Sequence, residues 1–222
     1  MEITLTEDDS ERLVEALRGG RLDAAIIAFG GTPPEGLGLR VLTEEPIVAA
    51  VGHDDELARR TEIALDDLRD RVLISLPRGT GIRAILDDAC AAAGFSPRIA
   101  FEAGSPEMLA ELAARGLGVA IVPASTVAER RDLNALTIHP PGRPALPGTP
   151  GRPGTSGRPG TSGRPGHPDG PDLSGGAGLP DVMALSERPG LRGSLAFAWR
   201  GEGPMSPAAR TLVERARRLL GP

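Results

Sequence analysis

The sequence predicts an α/β fold in which short buried strands alternate with helices. Residues 72–75 and 119–122 are apolar runs with the length of strands that are buried on both faces. Between them, apolar residues recur at the spacing of a helix that is buried on one side. Glycine or proline stands where most of these segments should end. Strands and helices in this order favour a mostly parallel sheet covered on both faces.

The first part of the chain predicts a strand, a helix and two further strands. Ile3 and Leu5 alternate with polar residues, as in a strand, and Asp9 or Ser10 can cap the helix that follows. Residues 24–28 are predicted to form the next strand. A second strand pair is predicted to begin near residues 39–42.

Two more helices are predicted in the middle of the chain. The first opens at Thr80 and Gly81 and ends at Gly94, where a left-handed residue closes many helices. The second is capped by Ser105 and ends at Gly116. The apolar face of the first comprises Ile82, Ile85, Leu86, Ala89, Cys90 and Ala93. A closing helix is predicted over residues 206–220, with its arginines toward water.

Several of these segments, in this order, resemble the effector-binding domain of LysR-type transcriptional regulators. The matching segments are LVEALRGGRLDAAI at 13–26, PRGTGIR at 77–83, AGFSP at 93–97, EAGSPE at 102–107, GLGVAIVP at 116–123 and MSPAAR at 205–210. The resemblance covers about residues 2–139 and 188–221. It implies a two-lobed, periplasmic-binding-protein-like fold of type II, with a ligand cleft between the lobes.

The resemblance also implies a division into domains. Residues 1–49 and 195–222 would form lobe I, and residues 50–139 would form lobe II. The chain would cross between the lobes twice, and these crossings would act as a hinge. The implied hinge residues are Pro46, Ile47, Val48, Leu195, Ala196 and Phe197.

Residues 140–187 depart from the family as a low-complexity insert rich in Gly, Pro and Arg. Glycine occupies every third position from Gly148 to Gly166, which is the sequence rule of the collagen triple helix. A short triple helix that trimerises the protein is therefore one interpretation. A disordered loop grown by repeat expansion is favoured, because GRPGTS occurs twice in tandem and the segment has few apolar residues to bury.

The start of the sequence departs from the family as well. Nothing here matches the winged helix-turn-helix, the linker helix, or the first strand and helix of lobe I, so lobe I is expected to be truncated at its N-terminus. A mis-started reading frame, a fragment of a full regulator and a decayed gene are the alternatives, and the first two are favoured. The net charge of −5 opposes phosphate, so this chain alone is not expected to bind DNA.

Helix N-termini that face a cleft offer unpaired N–H groups and a positive dipole to an anionic ligand. Thr80 is the first candidate, because its hydroxyl lies between glycines that allow close approach. Plain capping or loop geometry is the alternative at every candidate position. The full set of predicted effector-binding residues is Gly79, Thr80, Gly81, Ile82, Ser105, Phe29, Gly30 and Pro123.

No catalytic residues, metal site or cofactor are predicted. His53, His139 and His167 lack the spacing of metal ligands, and the GTSG segments at 154 and 160 belong to the repeat. Cys90 lies on an apolar helix face, which favours core packing over reactivity. The N-terminal sequence is not a signal peptide, and no apolar run approaches the ~18 residues of a membrane span. A cytoplasmic protein without a membrane partner is expected.

The predicted function is therefore small-molecule sensing rather than catalysis. The chain would be the effector-sensing domain of a LysR-family regulator, binding an anionic metabolite between its lobes to control transcription. A stand-alone or transport-associated solute-binding protein of the same fold is the alternative, and the lack of an export signal disfavours it. The resemblance also implies a homo-oligomer that pairs through residues 13–18 and 82–93.

Overall fold

The structure is a computed structural model that describes residues 4–140, 190–201 and 205–219. Over these residues the α-helices are α1 Ser10–Arg18, α2 Gly81–Ala92, α3 Pro106–Ala114, α4 Ala124–Val127 and α5 Pro207–Leu219. The strands are β1 Ala24–Phe29, β2 Leu37–Gly52, β3 Glu62–Ala64, β4 Leu73–Ser75, β5 Ile99–Glu102, β6 Val119–Pro123, β7 Leu133–His139 and β8 Arg192–Arg200. Two short 3-10 helices, Glu56–Arg59 and Leu65–Leu68, flank β3.

The long strand β2 joins two sets of strands. Its first part, residues 37–46, pairs with β8, which in turn pairs with β1. From Ile47 onward it pairs instead with β6 and β7. The first strand set is therefore β1, β8 and residues 37–46 of β2. The second strand set is residues 47–52 of β2 with β3, β4, β5, β6 and β7.

The expectation of a mostly parallel sheet holds for the strands within residues 72–122 but not for the sheet as a whole. β4 is parallel to β5 and β6, and β3 is parallel to β7, as strand–helix alternation predicts. All the pairings of β2 and β8, however, are antiparallel. Strands β2 and β8 each run in the opposite direction to their neighbours, and antiparallel pairs do not need a crossover helix. The sheet is mixed.

Both faces of the second strand set are buried, as the sequence predicts. Alternate residues of β2 point to opposite sides, with Ile47, Ala49 and Val51 in one core cluster and Val48 and Ala50 in the other. The α2 helix covers the first side and α3 covers the second. A smaller cluster in the first strand set joins Leu17 of α1 to Ile27 and Ala198.

The predicted helix ends are largely confirmed. Asp9 caps α1 by accepting a hydrogen bond from the Arg12 N–H at 2.9 Å, and Ser105 caps α3 by accepting one from the Met108 N–H at 3.3 Å. Gly94 and Gly116 follow α2 and α3 with φ of 74° and 75°, in the left-handed region that closes helices.

The strand predicted around Ile3 and Leu5 is not formed over the described residues 4–9. Leu5 is 94% exposed, and the segment has no strand pairing. An alternating sequence needs a neighbouring strand to pair with and a surface to bury its apolar face. Ile3 itself lies outside the described residues. Within the described part of the chain, β1 pairs only with β8, so its other edge is open.

The predicted insert lies outside the described residues, apart from Pro140 at its start, but its flanks are well placed. The Leu191 N–H donates to the Ile138 carbonyl at 3.2 Å, so the chain leaves β7 and returns to β8 at one place. The domain boundaries at residues 49/50, 139/140 and 194/195 stay predictions.

Removal of residues 142–178 is expected to leave the fold and the melting temperature nearly unchanged. The flanks already meet through Leu191 and Ile138, so the shortened connection needs to span little distance. Loop length itself costs only about 0.6 kcal/mol per doubling. Circular dichroism and a thermal melt of the two forms test this. A large loss of helicity, or a trimer that dissociates cooperatively in the parent only, would contradict it.

Candidate ligand-binding cleft

The two strand sets meet where α2 packs on the C-terminal end of β1. A Cβ on Gly81, the first residue of α2, would overlap the Ala28 carbonyl of β1. A Cβ on Gly30 would overlap the Ile85 side chain of α2. Glycine at both positions therefore allows the helix and the strand end to come into direct contact.

The N-terminus of α1 closes over the loop that precedes α2. The Glu11 N–H donates to the Gly79 carbonyl at 3.1 Å, and the Ala28 N–H donates to the Ser10 hydroxyl at 3.0 Å. The Asp9 carboxylate lies so close to Gly79 that an added Cβ would be 2.7 Å from its carboxyl carbon. Gly79 also has a φ of 89°, which a side chain would strain. This loop is therefore shaped to the end of α1.

The N-terminus of α2 is left without a side-chain cap. Thr80 is its N-cap residue, but the Thr80 hydroxyl donates to the Pro77 carbonyl at 2.8 Å and accepts no bond from the helix. The first N–H groups of a helix have no partner within the helix itself. Together with the helix dipole, these groups favour an anion at this end.

A cavity of about 590 Å³ opens at this end of α2, between α1, the end of β1 and the 77–80 loop. This volume is in the usual range for a small-molecule site. Phe29, Gly30, Gly79, Thr80 and Gly81, all predicted from the sequence, line it. Its polar and charged lining residues are Ser10, Glu11, Arg18, Arg78, Thr80, Arg83, Asp87 and Asp88.

A second, apolar cavity of about 140 Å³ lies against the first. Both are lined by Ala28, Phe29 and Ile85, so these residues separate them. The predicted residues Ile82 and Pro123 line the smaller cavity. Its remaining lining residues are Thr43, Glu45, Ile47, Gly193, Ser194 and Leu195.

Ser105, the last predicted binding residue, lines neither cavity. Its hydroxyl is occupied as the cap of α3. The sequence marks Ser10 only as a possible helix cap and does not mark Arg18 as a cleft residue. Arg78 belongs to the predicted helix end at residues 78–82, although it is not among the predicted binding residues. Arg18 carries no local signal, because only the packing of α1 brings it to the cleft.

The buried Arg83, in the first turn of α2, forms ion pairs with two carboxylates. It is 4% exposed, and its guanidinium donates to Asp87 at 3.1 Å and to Glu102 at 2.5 Å. Burial alone would lower the pKa of Arg83, but the hydrogen bonds to Glu102 and Asp87 outweigh it and raise that pKa. The buried charge is thus compensated, and it links α2 to β5.

The predicted hinge residues of β2 lie where the strand changes partner, whereas those of β8 lie within a continuously paired strand. The pairing of β2 changes partner at Pro46 and Ile47, and Val48 follows in the buried part of the strand. Residues 195–197 instead lie inside β8, paired with both β1 and β2. On the returning strand the change lies nearer Leu191, whose carbonyl accepts from the Ile47 N–H at 2.8 Å. The hinge role of all six residues stays a prediction.

The described residues contain no group of three or more His, Cys, Asp or Glu that could hold a metal ion. The His53 ring contacts the Asn134 amide at 2.8 Å and the Arg131 carbonyl at 2.5 Å, and the His139 ring contacts Glu62 at 2.5 Å. His167 lies outside the described part of the chain. Across residues 4–140, 190–201 and 205–219, no helix is long and apolar enough to cross a membrane.

The burial predicted for Cys90 is confirmed. The residue is fully buried in the core cluster that α2 shares with the second strand set. Burial, and next the nearby Asp87 carboxylate, raise the pKa of the thiol from its ordinary value of 9.0 to about 11. A protonated thiol without solvent access is a poor nucleophile and a poor target for oxidants, which fits core packing.

Two strand sets joined by β2, with a cleft at the end of a helix, define a two-lobed ligand-binding fold. The family model of the LysR substrate binding domain matches residues 1–150, about two thirds of the sequence. The chain therefore belongs to the LysR substrate-binding domain family, and the resemblance found in the sequence is confirmed.

Solved structures agree on the periplasmic-binding-protein-like type II fold. The regulatory domain of CcmR from Synechocystis PCC6803, in complex with 2-PG, matches with a TM-score of 0.60 and 16% identity, over 99% of this chain and 83% of that one. The effector binding domain of QuiR, in complex with shikimate, matches with a TM-score of 0.59 and 17% identity, over 96% and 78%. At such identities the likeness concerns the fold alone.

Among curated proteins, the transcriptional dual regulator GltC of Bacillus subtilis (strain 168) is 30% identical over 129 residues, which cover 58% of this chain and 43% of GltC. The HTH-type transcriptional regulator TtuA of Agrobacterium vitis is 37% identical over 125 residues, 54% of this chain and 40% of TtuA. The chain thus matches less than half the length of either relative.

Proposed function

We propose that this chain is the small-molecule effector-sensing domain of a LysR-family transcriptional regulator, and that it binds an anionic metabolite in the cleft between the two strand sets. The observation that carries this is the uncapped N-terminus of α2, which opens into the 590 Å³ cavity that Arg78 also lines. Donors of this kind bind carboxylates and phosphates. The family and its curated relatives support a regulatory, cytoplasmic role.

Control of transcription would follow from a shift in the arrangement of the two lobes. A ligand in the cleft contacts α1 and β1 on one side and α2 on the other, so it favours the arrangement in which all these contacts form. The lobes are those proposed from the sequence, residues 1–49 with 195–222 and residues 50–139. The shift would reach a DNA-binding part of the regulator through the oligomer.

We further propose that the chain forms a homo-oligomer, with residues 13–18 of one copy facing residues 82–93 of another. These segments contain most of α1 and α2, which lie on the two sides of the cleft. An interface there would couple the cleft to the assembly. Light scattering at micromolar concentration is expected to show a dimer or larger species. A folded monomer would contradict the proposal.

Thr80→Trp is expected to abolish ligand-induced thermal stabilisation while leaving the protein folded. The indole ring would fill the volume in front of the first N–H groups of α2. The lost hydrogen bond to Pro77 should cost only about 1 kcal/mol. The measurement is a thermal-shift screen of the parent and the variant against small carboxylates and phosphates.

Two further variants complete this test. Thr61→Trp places the same ring on an exposed threonine that lines neither cavity, and it should respond to ligand like the parent. Thr80→Val removes the hydroxyl but keeps the shape, so it should retain most of the response. If Thr80→Trp responds to the stabilising compound like the parent, the ligand binds elsewhere.

A further inference from the structure

We infer that the N-terminus of α1 and the 77–80 turn form a clasp that opens and closes as the two strand sets move apart and together. The clasp consists of residues 9–11 on one side and residues 77–80 on the other. The α1 helix packs on the first strand set through Leu17, whereas the turn leads from Leu76, in the core of the second strand set, into α2. The inference goes beyond the proposed function because it names the contact that breaks when the sets separate.

The central contact of the clasp is the hydrogen bond from the Glu11 N–H to the Gly79 carbonyl, which is 3.1 Å long. Glu11 is the second residue of α1, and the first N–H groups of a helix have no partner within that helix. The neighbouring Arg12 N–H is satisfied locally, because it donates to the Asp9 carboxylate at 2.9 Å. The Glu11 N–H, in contrast, has its partner on the turn that belongs to the second strand set.

Glycine at position 79 shapes the turn to receive α1. The Thr80 N–H and the Thr80 hydroxyl both donate to the Pro77 carbonyl, at 3.4 and 2.8 Å. The third residue of this turn has a φ of 89°, a value that favours glycine. A Cβ on Gly79 would also lie 2.7 Å from the carboxyl carbon of Asp9. The turn can therefore approach α1 this closely because residue 79 has no side chain.

The contacts beside the clasp can separate without breaking ion pairs. The α2 helix meets β1 where Gly81 touches the Ala28 carbonyl and where Gly30 receives the Ile85 side chain. The ion pairs between described residues each lie either within the first strand set and α1 or within the second strand set and its helices. Local opening at the clasp should therefore cost less than unfolding of either set.

The two sets are joined more firmly where β2 crosses between them. The Ile47 N–H donates to the Leu191 carbonyl at 2.8 Å there. The Ser125 N–H donates to the Glu45 carboxylate at 3.0 Å. The strand changes its pairing partner between Pro46 and Ile47. Movement about this crossing would open the clasp while each set keeps its own strand pairing.

Both halves of the clasp line the 590 Å³ cavity. Ser10 and Glu11 line it from one side, and Gly79 and Thr80 line it from the other. Opening of the clasp would therefore change the shape of this cavity. A molecule that contacts both halves would favour the closed arrangement.

Hydrogen exchange of the ligand-free full chain, followed by NMR at low urea concentrations, tests the clasp. The Ala28 N–H donates to the Ser10 hydroxyl at 3.0 Å, so its partner lies on the same side of the clasp. We expect the Glu11 amide to exchange at least ~10-fold faster than the Ala28 amide after correction for intrinsic rates. We also expect the exchange of Glu11 to be independent of urea, because local opening exposes little surface.

Two other results would contradict the inference in the parent protein. Fraying of α1 would remove Ser10 from Ala28 as well, so the Glu11 and Ala28 amides would then exchange at the same rate. A clasp that opened only on global unfolding would give Glu11 the same urea dependence as Ala120 in the core of β6.

Gly30→Ala tests whether the clasp follows the separation of the strand sets. Its added Cβ would overlap the buried Ile85 side chain and push α2 from β1 without touching the clasp. The exchange of Glu11 should become at least ~10-fold faster, while that of Ala28 stays unchanged. Gly104→Ala is the matched control, because a Cβ there meets nothing within 4 Å and should leave both amides unchanged.

Gly79→Ala tests the contact itself. The added Cβ meets Asp9, so the Glu11 amide should lose its protection while Ala28 keeps its own. Gly36→Ala is the matched control, since Gly36 has a similar φ of 77° and a Cβ there meets nothing within 4 Å. It should add the same backbone strain without releasing Glu11.

The two variants distinguish a moving clasp from a fixed contact. If Gly79→Ala released Glu11 but Gly30→Ala did not, the contact would exist without following the strand sets, and the inference would be wrong. If either variant failed to fold by circular dichroism, the exchange of the parent protein would decide. Because no ligand is used, a negative result here would leave the proposed function standing, and Thr80→Trp tests that function separately.

Discussion

Gly81→Ala is expected to lower the free energy of unfolding by about 3 kcal/mol. In an open helix the same change would stabilise the protein, because alanine has the higher helix propensity. At Gly81, however, the added Cβ would overlap the backbone carbonyl of Ala28, which cannot rotate away as a side chain can. Overpacking of this kind typically costs about 1–3 kcal/mol. Urea unfolding of parent and variant measures the difference.

Gly104→Ala is the matched control for this substitution. A Cβ at Gly104 meets nothing within 4 Å, and the residue lies at a surface turn before α3. We expect its stability to stay within about 0.5 kcal/mol of the parent, as for most surface changes. If Gly81→Ala also left the free energy of unfolding unchanged, the contact between α2 and β1 would be absent in solution. The result therefore reports directly on how the two strand sets meet.

The second strand set is expected to resist local opening far more than the first. We predict that the backbone amide of Ala120 in β6 exchanges with solvent at least ~100-fold more slowly than that of Ala196 in β8. Two large core clusters cover both faces of β6. Among the residues that the structure describes, the cluster of the first strand set contains only three buried residues, Leu17, Ile27 and Ala198. The open edge of β1 further weakens the first strand set.

These two alanines make a matched pair for hydrogen exchange measured by NMR. Both are 0% exposed, and both lie in strands that are paired on each side. A difference in their exchange therefore reflects the opening of a whole strand set rather than local exposure. Equal protection would mean that the two sets unfold as one unit.

Local patterns determined the elements of the fold. The caps Asp9 and Ser105 and the closing glycines Gly94 and Gly116 stand where the sequence places them, because capping depends on residues within one helical turn. The burial of Cys90 followed equally from helical periodicity. The strand around Leu5 failed for the opposite reason. A strand forms only beside a partner, and alternation within one segment cannot show whether a partner is present.

The candidate cleft was only partly accessible to sequence reasoning. Phe29, Thr80 and Pro123 could be selected because each lies at the end of a strand or the start of a helix, and such ends line the clefts of α/β folds. Arg18 and Glu11 could not, since nothing in their neighbourhood along the chain marks them as cleft residues. They reach it because α1 closes over Gly79.

The sequence by itself determined the family, the α/β class, most helix boundaries and the candidate binding end of α2. Each of these depends on residues that lie close together along the chain. Only the tertiary structure decided that the sheet is mixed, that glycines let α2 pack directly on β1, and that Glu11 and Arg18 line the same cavity as Arg78. These features depend on contacts between residues far apart in the chain. No periodicity, cap or turn within one segment records such contacts.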